Sequence, residues 1–122
     1  MTSAREIEFE RNFSQADFDR FARLSGDDNP IHVDAGFSAC SRFGRPVAHG
    51  LLLLSVLRGL VEELFPGARV AHLDVMFPAP TFAGETMRFR AAAGEDGVTI
   101  ALGVRRAADD TLTCEGHCRV RP

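Results

Sequence analysis

Hydrophobic positions along this chain follow a period of two at both ends and a helical period in between. Ile7-Glu8-Phe9-Glu10 alternates and predicts a short strand. From Ser14 the spacing lengthens: Phe18, Phe21 and Ala22 fall at i, i+3 and i+4, one apolar face of a helix. Ser14 with Asp17 three residues later predicts a capping box, and Gly26 suits the left-handed stop. Asp27 to His32 cannot be helical throughout, because Pro30 disfavours helix at Asn29 and removes a donor. A short helix capped by Asp34 is expected through Phe37, Ala39 and Cys40. A longer one runs from His49 or Gly50 to about Leu64, roughly 24 Å at 1.5 Å per residue. Its start is apolar nearly all round, which predicts burial on most sides.

After Phe65-Pro66-Gly67 the period returns to two. Arg69 to Phe77 places Ala71, Leu73, Val75 and Phe77 on one side and His72 and Asp74 on the other. Glu85 to Ala93 turns Met87, Phe89 and Ala91 inward, Gly94 to Gly97 reads as a hairpin turn, and Val98 to Arg106 and Thr111 to Arg121 complete the pattern. Helices followed by strands predict an α+β fold: an antiparallel meander of at least three strands, a curved sheet wrapped around the helix from Gly50 to Leu64.

With 122 residues, 45% of them hydrophobic and 25% charged, residues 1–122 read as one soluble domain with a sizeable core. A net charge of −3 argues against a general nucleic-acid binder. Cys40, Cys114 and Cys118 form an odd, sparse set, read as free thiols in a reducing compartment, the cytoplasm. Met1 to Glu10 has no apolar core of signal-peptide length, and Leu51 to Leu57 is far short of a membrane span.

Chemistry concentrates between Leu24 and Leu54, where Asp27, Asp28, His32 and His49 precede a glycine-started helix. A carboxylate can take a proton from water, an imidazole passes protons near neutral pH, and N–H groups at a helix start hold a developing oxyanion. Asn29 either braces the loop or meets substrate; His49 either ties the loop to the helix start or touches substrate; Asp28 reads as a solvated neighbour. His117 between Cys114 and Cys118 has the look of a metal-site fragment, but on a strand it points away from its immediate neighbours and no second ligand pair exists, so no metal is expected. His72 reads as a surface or interface histidine. Arg42, Arg45, Arg88 and Arg90 are candidates for phosphate contacts, each more simply explained as solvated charge.

Phe21-Ala-Arg-Leu-Ser-Gly-Asp-Asp-Asn-Pro-Ile-His32, then Phe43-Gly-Arg-Pro-Val-Ala-His-Gly-Leu-Leu52, then Pro78-Ala-Pro-Thr-Phe-Ala-Gly-Glu85, resembles the MaoC-like, (R)-specific enoyl-CoA hydratase family, over about Phe13 to Arg121. The resemblance implies a hotdog fold and a catalytic pair at the acid five residues before the histidine and the histidine itself, here Asp27 and His32. It also implies an oxyanion N–H at the glycine of the His-Gly pair, here Gly50. The implied reaction is reversible addition of water to a trans-2-enoyl thioester, giving an (R)-3-hydroxyacyl thioester, with no cofactor beyond coenzyme A or acyl carrier protein as the substrate's carrier. A homodimer is implied as well, and a last strand such as Thr111 to Val120 would otherwise be an exposed edge. One departure stands out: many short bacterial members carry serine where this chain has Arg58.

Two other readings differ in class. A hotdog thioesterase would attack the carbonyl, but enzymes of that kind place an acid on the central helix, and Leu51 to Leu57 offers none. A non-catalytic acyl-thioester-binding subunit would use the same motif only to shape a pocket.

Overall fold

The computed structural model describes residues 5–121. Residues 1–4, part of the stretch read for an export signal, and residue 122 lie outside the described range, and so do the two ends of the domain read as 1–122. The chain opens with β1 (Glu6–Asn12) and passes into α1 (Gln15–Ser25). The capping box forms in both directions: Ser14 Oγ accepts from the Asp17 N–H at 3.2 Å and the Asp17 carboxylate accepts from the Ser14 N–H at 2.9 Å. At the other end Gly26 takes φ +80° and returns its N–H to the Ala22 carbonyl at 3.0 Å, ending the helix in the left-handed region.

Pro30 does not exclude helix beyond itself: α2 (Pro30–Val33) starts on it, because a proline at the first helical position gives up only an N–H the helix leaves unpaired. Asn29 caps this single turn, accepting from the Ile31 N–H at 3.1 Å. Asp34 caps α3 (Ala35–Ala39) through the Phe37 N–H at 3.0 Å.

The long helix is α4 (Gly50–Leu64), and its core face carries Leu53, Leu57, Leu60, Val61 and Leu64. Contrary to what its composition predicts, its start is not buried all round: Leu51 is 62% exposed. The remaining strands are β2 (Arg69–Met76), β3 (Thr86–Ala93), β4 (Thr99–Arg106) and β5 (Leu112–Arg121). Together with β1 they form one antiparallel sheet in the order β1-β3-β4-β5-β2. The sheet lays Met87, Phe89, Ala91, Ile100, Leu102 and Val104 against α4, and Phe13 meets Phe89 edge-on at 6.0 Å, sealing the end near α1. Burying a side chain such as Leu57 contributes about 1.5–3 kcal/mol.

Two expectations about the strands are overturned. β5 is not an edge, because the chain crosses after β2 and brings β5 between β4 and β2; the edges are β1 and β2. On β2 the register shifts between Val70 and His72, so Val70, not Ala71, shares the inner face with Leu73 and Val75. A bulge adds one residue and so reverses the alternation on one side of itself. β2 also ends at Met76, leaving Phe77 in the following loop.

The two edges differ in chemistry. On β1, Glu6, Glu8 and Glu10 stand opposite Ala92, Arg90 and Arg88 of β3, and Arg90 pairs with both Glu6 and Glu8. β2 instead leaves Leu73 and Met76 exposed, and Phe77 beyond its end is exposed too. Among the described residues no helix is long and apolar enough to cross a membrane.

Candidate active site

Asp27 follows the left-handed turn at Gly26, and its N–H donates to Ser25 Oγ at 3.1 Å. His32 sits in the single turn of α2, where Gln15 holds its backbone carbonyl at 2.9 Å. This polar loop hangs on the segment that enters α4. The Val47 N–H donates to the Ile31 carbonyl at 3.0 Å, and His32 Nδ1–H donates to the Val47 carbonyl at 2.8 Å. His49 Nε2–H donates to the Asp27 carbonyl at 2.9 Å. Both histidines face carbonyls, which only accept, so the proton on each of those nitrogens is assigned. Val47 and Ala48 are in turn tied to Phe82 and Thr81.

The outcome is a defined pair. His32 Nε2 lies 3.7 Å from Asp27 Oδ2, with the histidine side chain 14% exposed and the carboxylate 49%. With Nδ1–H held by the Val47 carbonyl, Nε2 is the ring nitrogen that faces the carboxylate. Beneath the pair, the His49 ring stacks on His32 at 3.8 Å and 22°, and Phe21 closes its other side edge-on at 4.9 Å. Burial, the largest influence, pushes His49 below its ordinary value; the hydrogen bond to Asp27 opposes this and His32 adds to it. At neutral pH His49 is therefore uncharged, and being buried it lies behind the pair. Asn29 uses its carboxamide oxygen as the cap of α2. Asp28 is exposed.

Gly50 opens α4 immediately after His49, whose side chain makes no capping hydrogen bond. Among the described residues nothing accepts from the Gly50 N–H, so the positive end of a fifteen-residue helix is free for an anionic oxygen. A β-carbon on Gly50 would stand 2.8 Å from the Phe77 ring. Two cavities lie against α4, and Gly50 lines the second of them. One, about 580 Å³, is lined by Phe21, Leu51, Leu54, Arg58 and Leu73 and is almost wholly apolar. The other, about 450 Å³, is lined by Arg42, Ala48, Gly50, Phe77 and Thr81.

The structure divides the arginine candidates. Arg42 reaches the second cavity, whereas Arg45 lies over Phe82 at 4.1 Å and 3.5 Å from Glu85. Arg88 and Arg90 line a separate groove with Glu8, Gly103 and Gly116. Cys114 and Cys118 point into the core while His117 turns to His72 at 5.6 Å, so these three do not converge.

Asp27, His32 and His49 do bring three potential ligand atoms within 4.8 Å. A metal lies in the plane of each imidazole that binds it, however, and two rings stacked 22° from parallel cannot both turn an in-plane lone pair to one ion. The arrangement suits proton transfer. Sequence reasoning gives no part in the site to Phe77 or to the ring of Phe21, and it does not find the Val47 carbonyl; the last has no signature at all, because every residue carries one.

The family model described as MaoC like domain matches residues 2–108. The (R)-specific enoyl-CoA hydratase of Aeromonas caviae is 39% identical over 77 residues, 62% of this chain and 58% of that protein. The 3-hydroxybutyryl-CoA dehydratase of Methylorubrum extorquens is 28% identical over 106 residues, 85% of this chain and 64% of that one. These matches span less than two thirds of either relative. The solved (R)-hydratase of A. caviae superposes with a TM-score of 0.86 at 28% identity, over 99% of this chain and 96% of that one. With the sheet, the central helix and residues 2–108 all matched, this chain has the hotdog fold and belongs to the MaoC-like domain family.

Proposed function

We propose that this protein is an (R)-specific enoyl-thioester hydratase and 3-hydroxyacyl-thioester dehydratase, a hydro-lyase acting through Asp27, His32 and the Gly50 N–H. The observation that carries the reading is the 3.7 Å approach of His32 Nε2 to the Asp27 carboxylate beside an uncapped helix start. The names of the similar proteins, an enoyl-CoA hydratase and a 3-hydroxybutyryl-CoA dehydratase, support it.

In the hydration direction the thioester oxygen accepts from the Gly50 N–H, which makes the β-carbon electrophilic. Asp27 takes a proton from water as the hydroxide bonds to the β-carbon. The π electrons move to the α-carbon and the thioester oxygen, and a proton from His32 Nε2 completes the α-carbon. The proton held by Asp27 then returns to His32, so the pair ends as it began. One shared water serves both side chains, and the reverse sequence dehydrates.

The carrier is coenzyme A or acyl carrier protein, with no further cofactor. The partner is a second copy of this chain. Its support is the β2 edge, which pairs on one side only among the described residues and leaves Leu73, Met76 and Phe77 exposed, since such an edge is normally covered. Three free thiols among the described residues agree with action in the cytoplasm.

The test mixes the protein with crotonyl-CoA and follows both enoyl absorbance and free thiol, with Asp27→Asn alongside. Absorbance lost without thiol release, and abolished by the substitution, is the expected result. Thiol release makes the protein a thioesterase, and binding without change makes it a silent subunit.

A further inference from the structure

On α4 the apolar cavity is lined by Leu51, Leu54, Ser55 and Arg58, spaced i, i+3, i+4 and i+7. A groove lined in this way runs along the helix from Leu51, the residue after Gly50. Its opposite wall is Val70, Leu73 and Cys118. Ser55 donates its hydroxyl to the Leu51 carbonyl at 2.8 Å, which leaves Arg58 as the one charged side chain lining the groove among the described residues.

Arg58 is drawn toward the far end of the helix. One nitrogen stands 3.6 Å from the Glu62 carboxylate and another donates to the Ala68 carbonyl at 3.3 Å. The first separation exceeds a hydrogen bond, and a guanidinium has five N–H groups, so donors remain for a ligand. Eight residues separate Gly50 from Arg58, about 12 Å along the axis. A zigzag of C–C bonds of about 1.5 Å advances about 1.25 Å per bond, so about ten carbons cover that span.

The geometry points to a preference for acyl thioesters whose far end carries a carboxylate, received by Arg58. This rests on the hydratase reading of the site. A terminal methyl at that position would strip water from a guanidinium and return nothing, whereas a carboxylate replaces the water with charge-assisted hydrogen bonds. Glu62 competes for the same cation, so neutralising it sharpens the preference.

The test has two arms on the full chain. Calorimetry compares binding of the monothioester of decanedioic acid and coenzyme A with that of decanoyl-CoA. Enoyl absorbance compares turnover of the corresponding trans-2-enoyl thioesters, with crotonyl-CoA as the reference for hydratase activity. The carboxylate-ended ligand is favoured about tenfold or more in both arms. Arg58→Met brings the ratio below one and Glu62→Gln raises it; each ratio is internal to one preparation and independent of how much variant folds. A wild-type ratio at or below one, or one unchanged in Arg58→Met, overturns the inference. If no enoyl thioester is consumed the hydratase reading fails, and the binding ratio alone decides the character of the groove.

Discussion

His49 stacks under His32 at 3.8 Å and, with its other edge, holds the backbone carbonyl of Asp27 at 2.9 Å. One buried side chain thus contacts both Asp27 and His32. It is also the residue that precedes Gly50, so the pair and the free helix N–H share a common mount.

Replacing Asp27 with asparagine keeps the shape of the side chain and removes the proposed base. Hydration of crotonyl-CoA is expected to fall about 10²–10⁴-fold. Because the carboxylate is half exposed, thermal stability stays near that of the wild type, and a variant that retains most of its turnover would move the base elsewhere.

Acid should weaken the fold through His49. Burial holds this ring below its ordinary value of 6.5, so the folded chain binds its proton less readily than the unfolded chain. The stability this provides is complete above about pH 6.5, the unfolded value, and is lost as pH falls through the lower folded one. Urea midpoints at pH 7.5 and 5.5 for the wild type and His49→Gln check it: the wild type loses more. Equal losses would place the acid sensitivity in another group.

Gly50→Ala drives a β-carbon to 2.8 Å from the Phe77 ring. Phe77 is 45% exposed and can swing away, so the melting temperature should drop only modestly. The displaced ring reshapes the cavity at the Gly50 N–H, the proposed oxyanion donor, and kcat/KM should fall about tenfold or more, about 1.4 kcal/mol of transition-state stabilisation. Comparison of melting with kcat/KM separates the two effects.

Gly116→Ala acts on the sheet. Its β-carbon would run into the Asp74 carbonyl oxygen and stand 2.6 Å from Val75 Cα, both backbone, so β2 must part from β5. Destabilisation of about 1–3 kcal/mol is expected from such overpacking. Denaturant unfolding measures it, and sedimentation tests whether the proposed self-association depends on this edge.

Local rules carry much of this molecule. The box at Ser14 and Asp17, the stop at Gly26 and the run from Gly50 to Leu64 are short-range chemistry, and they form where the residues place them. The crossing that puts β5 inside the sheet is long-range, and alternation within a strand says nothing about its neighbours. The bulge at Ala71 is hidden for a related reason, since a single unpaired residue leaves no mark in a hydrophobic pattern. At the site, carboxylates and imidazoles are readable as residue types, and the family resemblance is what singles out Asp27 and His32 among them. The carbonyls that orient the two imidazoles are not, because Val47 and Asp27 contribute them through the backbone.

The bulge on β2 and the half-exposed first turn of α4 leave the wall of the apolar groove on different stretches of chain from the loop that holds the pair. A change at Val70, Leu73 or Arg58 alters what fits without disturbing any hydrogen bond that sets Asp27 or His32. Such a molecule can exchange its clientele over evolutionary time while its chemistry stands still.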